Sequence, residues 1–305
     1  MHTEAANVIA TLPTFAGIDP SRLRITRLGG LTNRNYEVDG PAGHFVLRLA
    51  GEGTGEYIDR AVEEKNARIA ADAGVNAEVV HFDVASGTML SRYVEGSVTL
   101  STDGFRDLGA VRRAGRAFRR LHDRGALFTG RFELFDQIDN YLGVVGRLNA
   151  ELPDGYADVQ REAEAVREAL GRYTLPLAAC HCDPLAENFL DTGERVWIID
   201  FEYAGNNDPM WDLGDLAVEA EMGPEQQAAL LEAYFDGPPP SFEAGRAVMY
   251  KAMCDLLWTL WGLIQHASGN PADDFWAYSI ARFERCQKLM NDPAFAGHVA
   301  AVREK

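Results

Sequence analysis

The chain of 305 residues sets 29 Lys and Arg against 46 Asp and Glu, a formal net charge of −17 at pH 7, within a composition of 47% hydrophobic and 25% charged residues. That length suits one large core or two modest lobes, and the composition is that of a soluble globular protein. The negative charge excludes a nucleic-acid partner, whose phosphates it would repel, and a basic membrane-surface helix; it favours cationic ligands.

In chain order, residues 1–20 read as a helical start, ended by Pro13 and again by Asp19-Pro20. Arg22 to Leu28 then alternates polar and apolar residues at the period of a strand. It runs into Gly29-Gly30-Leu31-Thr32-Asn33 and a second strand through Tyr36 and Val38. Two glycines followed by small polar residues make a hairpin tip that can approach phosphates closely, although the spacing is not G-x-G-x-x-G. The next strand, His44 to Leu49, puts Phe45, Leu47 and Leu49 on one face and Val46 and Arg48 on the other. A Glu- and Ala-rich helix is expected over 56–73, ended by Gly74 and holding Arg60, Glu63 and Glu64. Residues 79–84 and 89–94 form a hairpin around Ala85-Ser86-Gly87-Thr88, and Glu95-Gly96 reads as a hinge.

Beyond residue 96 the pattern turns helical. Val111, Ala114, Phe118 and Leu121 make one apolar stripe of a basic helix that ends at His122. Further helices are expected over 136–150, 158–172 and 246–267. No internal repeat and no long linker interrupts the chain; residues 236–240 are a short Pro-rich loop. The expected fold class is α+β, with a strand-rich part over 1–95 and a larger, mainly helical part over 96–305.

The chemistry concentrates in one stretch. His181-x-Asp183-x-x-x-x-Asn188 is followed, after a tight turn at Thr192-Gly193, by the β-branched and aromatic run Val196 to Ile199, which ends in Asp200-Phe201-Glu202. Phosphoryl transfer needs an acceptor for the substrate's hydroxyl proton and oxygen ligands for magnesium at the nucleotide phosphates. An Asp two residues after a His, an Asn five further on and an Asp at the end of the next strand supply those groups. Asp183 is then the base, with His181 and Asn188 beside it, and Asn188 and Asp200 hold Mg2+.

At these residues, and in the wording Asp200-Phe201-Glu202-Tyr203-Ala204-Gly205, the chain resembles the choline/ethanolamine kinase family, a branch of the protein-kinase-like small-molecule kinases that includes the aminoglycoside phosphotransferases. Leu185 stands where protein kinases usually carry Lys, as suits a small acceptor. The resemblance implies a bilobal kinase-like fold that uses ATP. It implies a nucleotide-covering loop at Gly29, Gly30, Thr32 and Asn33. Arg48 would be the phosphate cation, with Glu64, preferred over Glu63, as its partner. Backbone groups at Arg92, Tyr93 and Val94 would meet the adenine edge. Asp212 would buttress the catalytic loop, and His122 would be a structural hydrogen-bond partner.

Trp258-x-x-Trp261-x-x-x-Gln265 resembles the family's choline-pocket helix, and its tryptophans share a face. A quaternary ammonium donates no hydrogen bonds; aromatic faces and nearby carboxylates hold it, at roughly 0.5–2 kcal/mol per ring. Tyr203, Trp258 and Trp261 are the expected cage, with Glu202 and Asp183 as counter-charges and Phe275, Trp276 and Tyr278 as further walls. The expected acceptor is choline. Ethanolamine, thiamine or an aminoglycoside is the alternative, and a nucleotide- or choline-binding protein without turnover a second one. The four cysteines make neither a disulfide frame nor a zinc-finger spacing. Ala252 to Ile264 is too short to span a bilayer, and no signal pattern opens the chain, so a cytoplasmic location is expected.

Overall fold

The structure is a computed structural model that describes residues 3–30, 33–51, 58–124 and 126–304. Helix α1 (Thr3–Ile9) precedes strands β1 (Arg24–Arg27), β2 (Arg34–Gly40) and β3 (Gly43–Leu49), helix α2 (Arg60–Asp72), and strands β4 (Val79–Asp83) and β5 (Thr88–Arg92). These strands form an antiparallel sheet in the order β1-β2-β3-β5-β4. On β3 the expected alternation holds. Phe45, Leu47 and Leu49 join Ile9, Leu12, Phe15, Tyr36, Val38 and Leu90 in a core of their own. Arg48 faces the other way and is buried.

The β1–β2 hairpin is drawn tight at its base. Leu28 N donates to Asn35 O at 2.8 Å, and Asn35 Nδ2 donates to Gly29 O at 3.1 Å. Gly30 has φ +147°, and a Cβ there would collide with the Asn33 carbonyl, so the tip needs glycine. Thr32 lies outside the described residues, as do residues 52–57, where α2 was expected to begin. Asp59 caps α2, its Oδ1 accepting from Ala61 N and Val62 N.

The helical part comprises β6 (Val98–Thr99), α3 (Leu108–Arg124), α4 (Leu134–Leu148), α5 (Tyr156–Gly171), β7 (Ala178–Cys180), β8 (Phe189–Asp191), β9 (Val196–Ile198), β10 (Gly205–Asn207), α6 (Met210–Glu219), α7 (Pro224–Phe235), α8 (Ser241–Ala267), α9 (Phe275–Met290) and α10 (Pro293–Arg303). Two small antiparallel sheets, β7 with β10 and β6-β8-β9, carry the loop region on a helical core. By length and composition α8 could cross a membrane. Its apolar residues instead lie in the core of the helical part, and its Asp255 is neutralised there by Arg282 and Arg285.

Candidate active site

The segment from β7 to β9 is held by its backbone. Asp212, fully buried on α6, accepts from His181 N at 2.7 Å and Cys182 N at 2.9 Å. His122 of α3 reaches the same carboxylate at 3.1 Å and Tyr234 Oη at 3.0 Å. Cys182 and Asp200 both have φ +67°, a left-handed conformation that costs a non-glycine residue of order 1–3 kcal/mol and persists only where the surroundings impose it. The β8–β9 register pairs Phe189 with Ile198, and Ile199 N donates to Asn188 O at 2.9 Å. That bond sets Asn188 beside the residue preceding Asp200. Asn188 Nδ2 donates to Asp183 O at 3.1 Å, tying the third member of the set to the second.

His181 was expected among the catalytic residues, and its geometry corrects this. The ring is fully buried, Nε2 lies 2.8 Å from Ile199 O, and Nδ1 accepts from Asp183 N at 3.3 Å. Burial lowers its pKa, so the ring is neutral and both nitrogens are spent on main chain. It positions Asp183 and Asp200 and has no atom free for a reacting group.

On the sheet side, Arg48 Nη1 pairs with Glu63 Oε1 and lies 3.4 Å from Asp200 Oδ1, while Nη2 donates to Gly87 O at 3.2 Å. The expectation of Glu64 as partner is corrected here. Successive helical side chains diverge by about 100°, so only one of two adjacent glutamates can face the sheet. Glu63 does, and Glu64 turns to Arg68 at 3.0 Å, part-exposed. Arg60 Nη1 pairs with Glu63 Oε2 at 2.7 Å and Glu202 Oε2 at 3.2 Å, and Asn33 Nδ2 donates to Glu202 Oε2 at 3.4 Å. Glu202 is therefore not the expected counter-charge of a substrate cation: Arg60 and Asn33 already engage it, on the side of the glycine hairpin. Glu63, Asp200 and Glu202 each bring an oxygen within 4.8 Å of the others. Burial, with Asp200 next, pushes Glu202 up to about 7, and burial raises Asp200 against the pull of Arg48. At the end of β5, Arg92 N and Tyr93 N donate to Glu78 O and His44 O, so both donors are committed within the sheet.

On the helical side, burial is the largest influence on Asp183, followed by the charges of Glu219, Asp200 and Glu202; together they push it up to about 8 against the pull of Arg282. Glu219, at the end of α6, is bound to Arg282 Nη2 at 2.7 Å. Sequence reasoning missed both, and also Asp215 one helical turn before Glu219. The available signal was Asp215 and Glu219, spaced i, i+4 in a helix that is apolar apart from them and Asp212. Trp258 and Trp261 meet edge to face at 5.9 Å, and Trp261 meets Phe275 at 5.4 Å and Tyr278 at 5.8 Å. Gly262 allows this: a Cβ there would strike Ser279 Oγ and the Tyr278 ring, so α8 and α9 approach closely. Trp258, Trp261 and Tyr278 are half-buried, leaving part of each ring open. Trp276 packs on His266. Tyr203 is half-buried in the turn after Glu202. The four cysteines are buried free thiols.

The phosphotransferase enzyme family matches residues 24–247. The solved structure of a choline/ethanolamine kinase family protein from Mesorhizobium loti is 53% identical, covers 99% of each chain and superposes with a TM-score of 0.91. That of choline kinase LicA from Streptococcus pneumoniae is 25% identical over 94% of this chain and 99% of its own, with a TM-score of 0.75. Protein LicA of Haemophilus influenzae is 28% identical over 276 residues, 87% of this chain and 79% of that one. With its protein-kinase-like fold and this arrangement of side chains, the chain belongs to the phosphotransferase enzyme family, within the branch of the choline/ethanolamine kinases.

Proposed function

We propose that this protein transfers the γ-phosphoryl group of ATP to the hydroxyl of choline. What supports the reading is the neighbourhood of Asp183. The carboxylates of Asp200 and Glu202 are within electrostatic reach on one side, and Glu219, Arg282 and Tyr278 on the other. An acceptor hydroxyl at Asp183 would sit between a triphosphate site and a site for a cation. Asp183 orients the hydroxyl and takes its proton, and the oxygen attacks the γ-phosphorus in line. Arg48, fixed by Glu63, faces the α- and β-phosphates. The hairpin at Gly29, Gly30 and Asn33 covers them, and the adenine edge lies along the segment reaching Val94.

The carboxylate of Asp200 and the amide oxygen of Asn188 suit a hard divalent cation, and in the cluster of Glu63, Asp200 and Glu202 it is Asp200 whose pairing with arginine is the longest, at 3.4 Å. Asn188 and Asp200 would hold Mg2+, which when bound would neutralise phosphate charge during the transfer. The rims of Trp258, Trp261 and Tyr278 supply the aromatic surface that a quaternary ammonium requires, and Glu219, which shares its charge with Arg282 at 2.7 Å, lies within electrostatic reach of Tyr278. The boundary between the nucleotide part and the acceptor part falls at residues 95–96, where Gly96 has φ +67°. An ATP-using reaction and four free thiols support a cytoplasmic location.

Ethanolamine is the second reading, favoured by the carboxylates Glu219 and Asp215, which suit a cation with N–H donors. The test is an acceptor panel of choline, ethanolamine, thiamine and an aminoglycoside with ATP and magnesium, read as phosphorylated product. Choline should give the highest kcat/KM. A higher value for ethanolamine transfers the assignment, and no product from any of the four removes it.

A further inference from the structure

Asp215 lies one turn before Glu219 on the same face of α6. It is fully buried. Its Oδ1 accepts from Cys254 Sγ at 3.1 Å, and among the described residues its Oδ2 has no hydrogen-bond partner. Asp215, Glu219 and Cys254 each bring one polar atom within 4.8 Å of the others. Two carboxylates that close in a dry site do not both ionise. Of the two, Glu219 has the Arg282 guanidinium at 2.7 Å and Asp215 has no cationic partner among the described residues, so a shared proton falls to Asp215. Burial first, and then the charges of Glu219 and Asp183, hold its carboxyl well above the usual range, and the Cys254 thiol is raised by burial and by the same two acids of α6.

The charged groups around it are otherwise committed. Glu219 and Asp212 share its helix, and His122 of α3 is bound to Asp212. On α8, Asp255 takes Arg285 in two bonds and part of Arg282. Lys251 of α8 is engaged by Gln227 of α7. Tyr278 of α9 lies under the Arg282 guanidinium at 4.8 Å, and Asp183 lies on the catalytic loop. Among the described residues no cation pairs with Asp215.

We propose that Asp215 is a second carboxylate of the acceptor site, which carries a proton in the free protein and releases it to solvent when a cationic acceptor docks beside Glu219. The inference rests on the reading that the acceptor is an amino alcohol. The O–H bond of Asp215 breaks, its electron pair stays on the carboxylate, and the buffer takes the proton. The ammonium replaces that proton as the positive charge facing Oδ2. Acceptor affinity then rises with pH over the range in which the free protein holds the proton, by up to about tenfold per pH unit.

The test is calorimetric titration of choline and of ethanolamine into the full chain, in two buffers of the same pH and different ionisation enthalpy. Asp183 also carries a raised pKa, so the titration is run on Asp183→Asn protein, with and without Asp215→Asn. Asp183→Asn protein should release up to about one proton per acceptor bound, and the double variant none. Should the double variant not fold, the infrared difference spectrum of Asp183→Asn protein with isotope-labelled aspartate decides. Loss of a protonated-carboxyl band on adding choline supports the proposal, and an unchanged spectrum overturns it. Binding with buffer-independent heat, or proton release that survives Asp215→Asn, overturns the proposal and leaves the amino-alcohol reading standing. No heat from either acceptor overturns both.

Discussion

Ile199 N donates to Asn188 O at 2.9 Å, and this bond continues the β8–β9 pairing so that the end of the catalytic loop lies against the strand that delivers Asp200. The two expected metal ligands are therefore set by β-sheet register and not by contact between their side chains. We predict that Asp200→Asn leaves the fold intact and lowers kcat by at least about a thousandfold, because the developing phosphoryl charge loses its neutralisation. Circular dichroism and steady-state kinetics across a magnesium titration check this. Activity restored to wild type by excess magnesium would mean that Asp200 is no ligand.

Glu63 and Glu64 separate a buried ion pair from a surface one. Glu63→Gln leaves two guanidinium groups, Arg48 and Arg60, without their shared carboxylate, a loss of roughly 3–5 kcal/mol for a buried pair. Glu64→Gln removes a part-exposed i, i+4 pair with Arg68, worth about 0.3–0.5 kcal/mol. Denaturant unfolding should show this contrast, and kcat/KM for ATP should fall only for Glu63→Gln. Equal effects from both substitutions would contradict the pairing.

The raised pKa of Asp183 has two readable consequences. As the base of the free enzyme it gives a kcat/KM that climbs with pH and levels off near about 8. In the unfolded chain the same group ionises near its ordinary 3.8, so stability is lost progressively as pH rises between the two values. Asp183→Asn should therefore stabilise the fold, by an amount that grows from pH 4 toward pH 8 to on the order of 5 kcal/mol, and the melting temperature should rise accordingly. A melting temperature that falls on substitution would show that Asp183 is stabilising, with a charge already compensated.

Removing an aromatic wall should act on one substrate only. Trp258→Ala or Trp261→Ala is predicted to raise KM for choline roughly tenfold, about the worth of one ring on a quaternary ammonium, with KM for ATP unchanged. Trp276→Ala, whose ring packs on His266, is the control and should change neither constant. A comparable rise in KM for ATP would place the tryptophans outside the acceptor site.

What could be read from the chain was what is local. The spacing from His181 to Asn188 and on to Asp200 lies within one loop and one hairpin, so the sequence carries its geometry. The alternation on β3 likewise revealed that Arg48 faces away from the core formed by Phe45 and Leu47. The misassignments were decided by packing between distant segments. Glu63 and Glu64 differ only in which one α2 turns toward β3. Glu202 sits next to Tyr203 in sequence, yet Arg60 and Asn33, both far away along the chain, claim its charge. Asp215 and Glu219 lie in an apolar helix, and only the docking of α8 and α9 brings Cys254 and Arg282 onto them.

The central claim is that Asp183 is the base between the triphosphate and the acceptor. The most direct test is Asp183→Asn protein assayed in one preparation for ATP binding and for phosphorylation of choline. The account predicts ATP affinity within about threefold of wild type and transfer reduced by at least about a thousandfold. Transfer at a rate near wild type would contradict it.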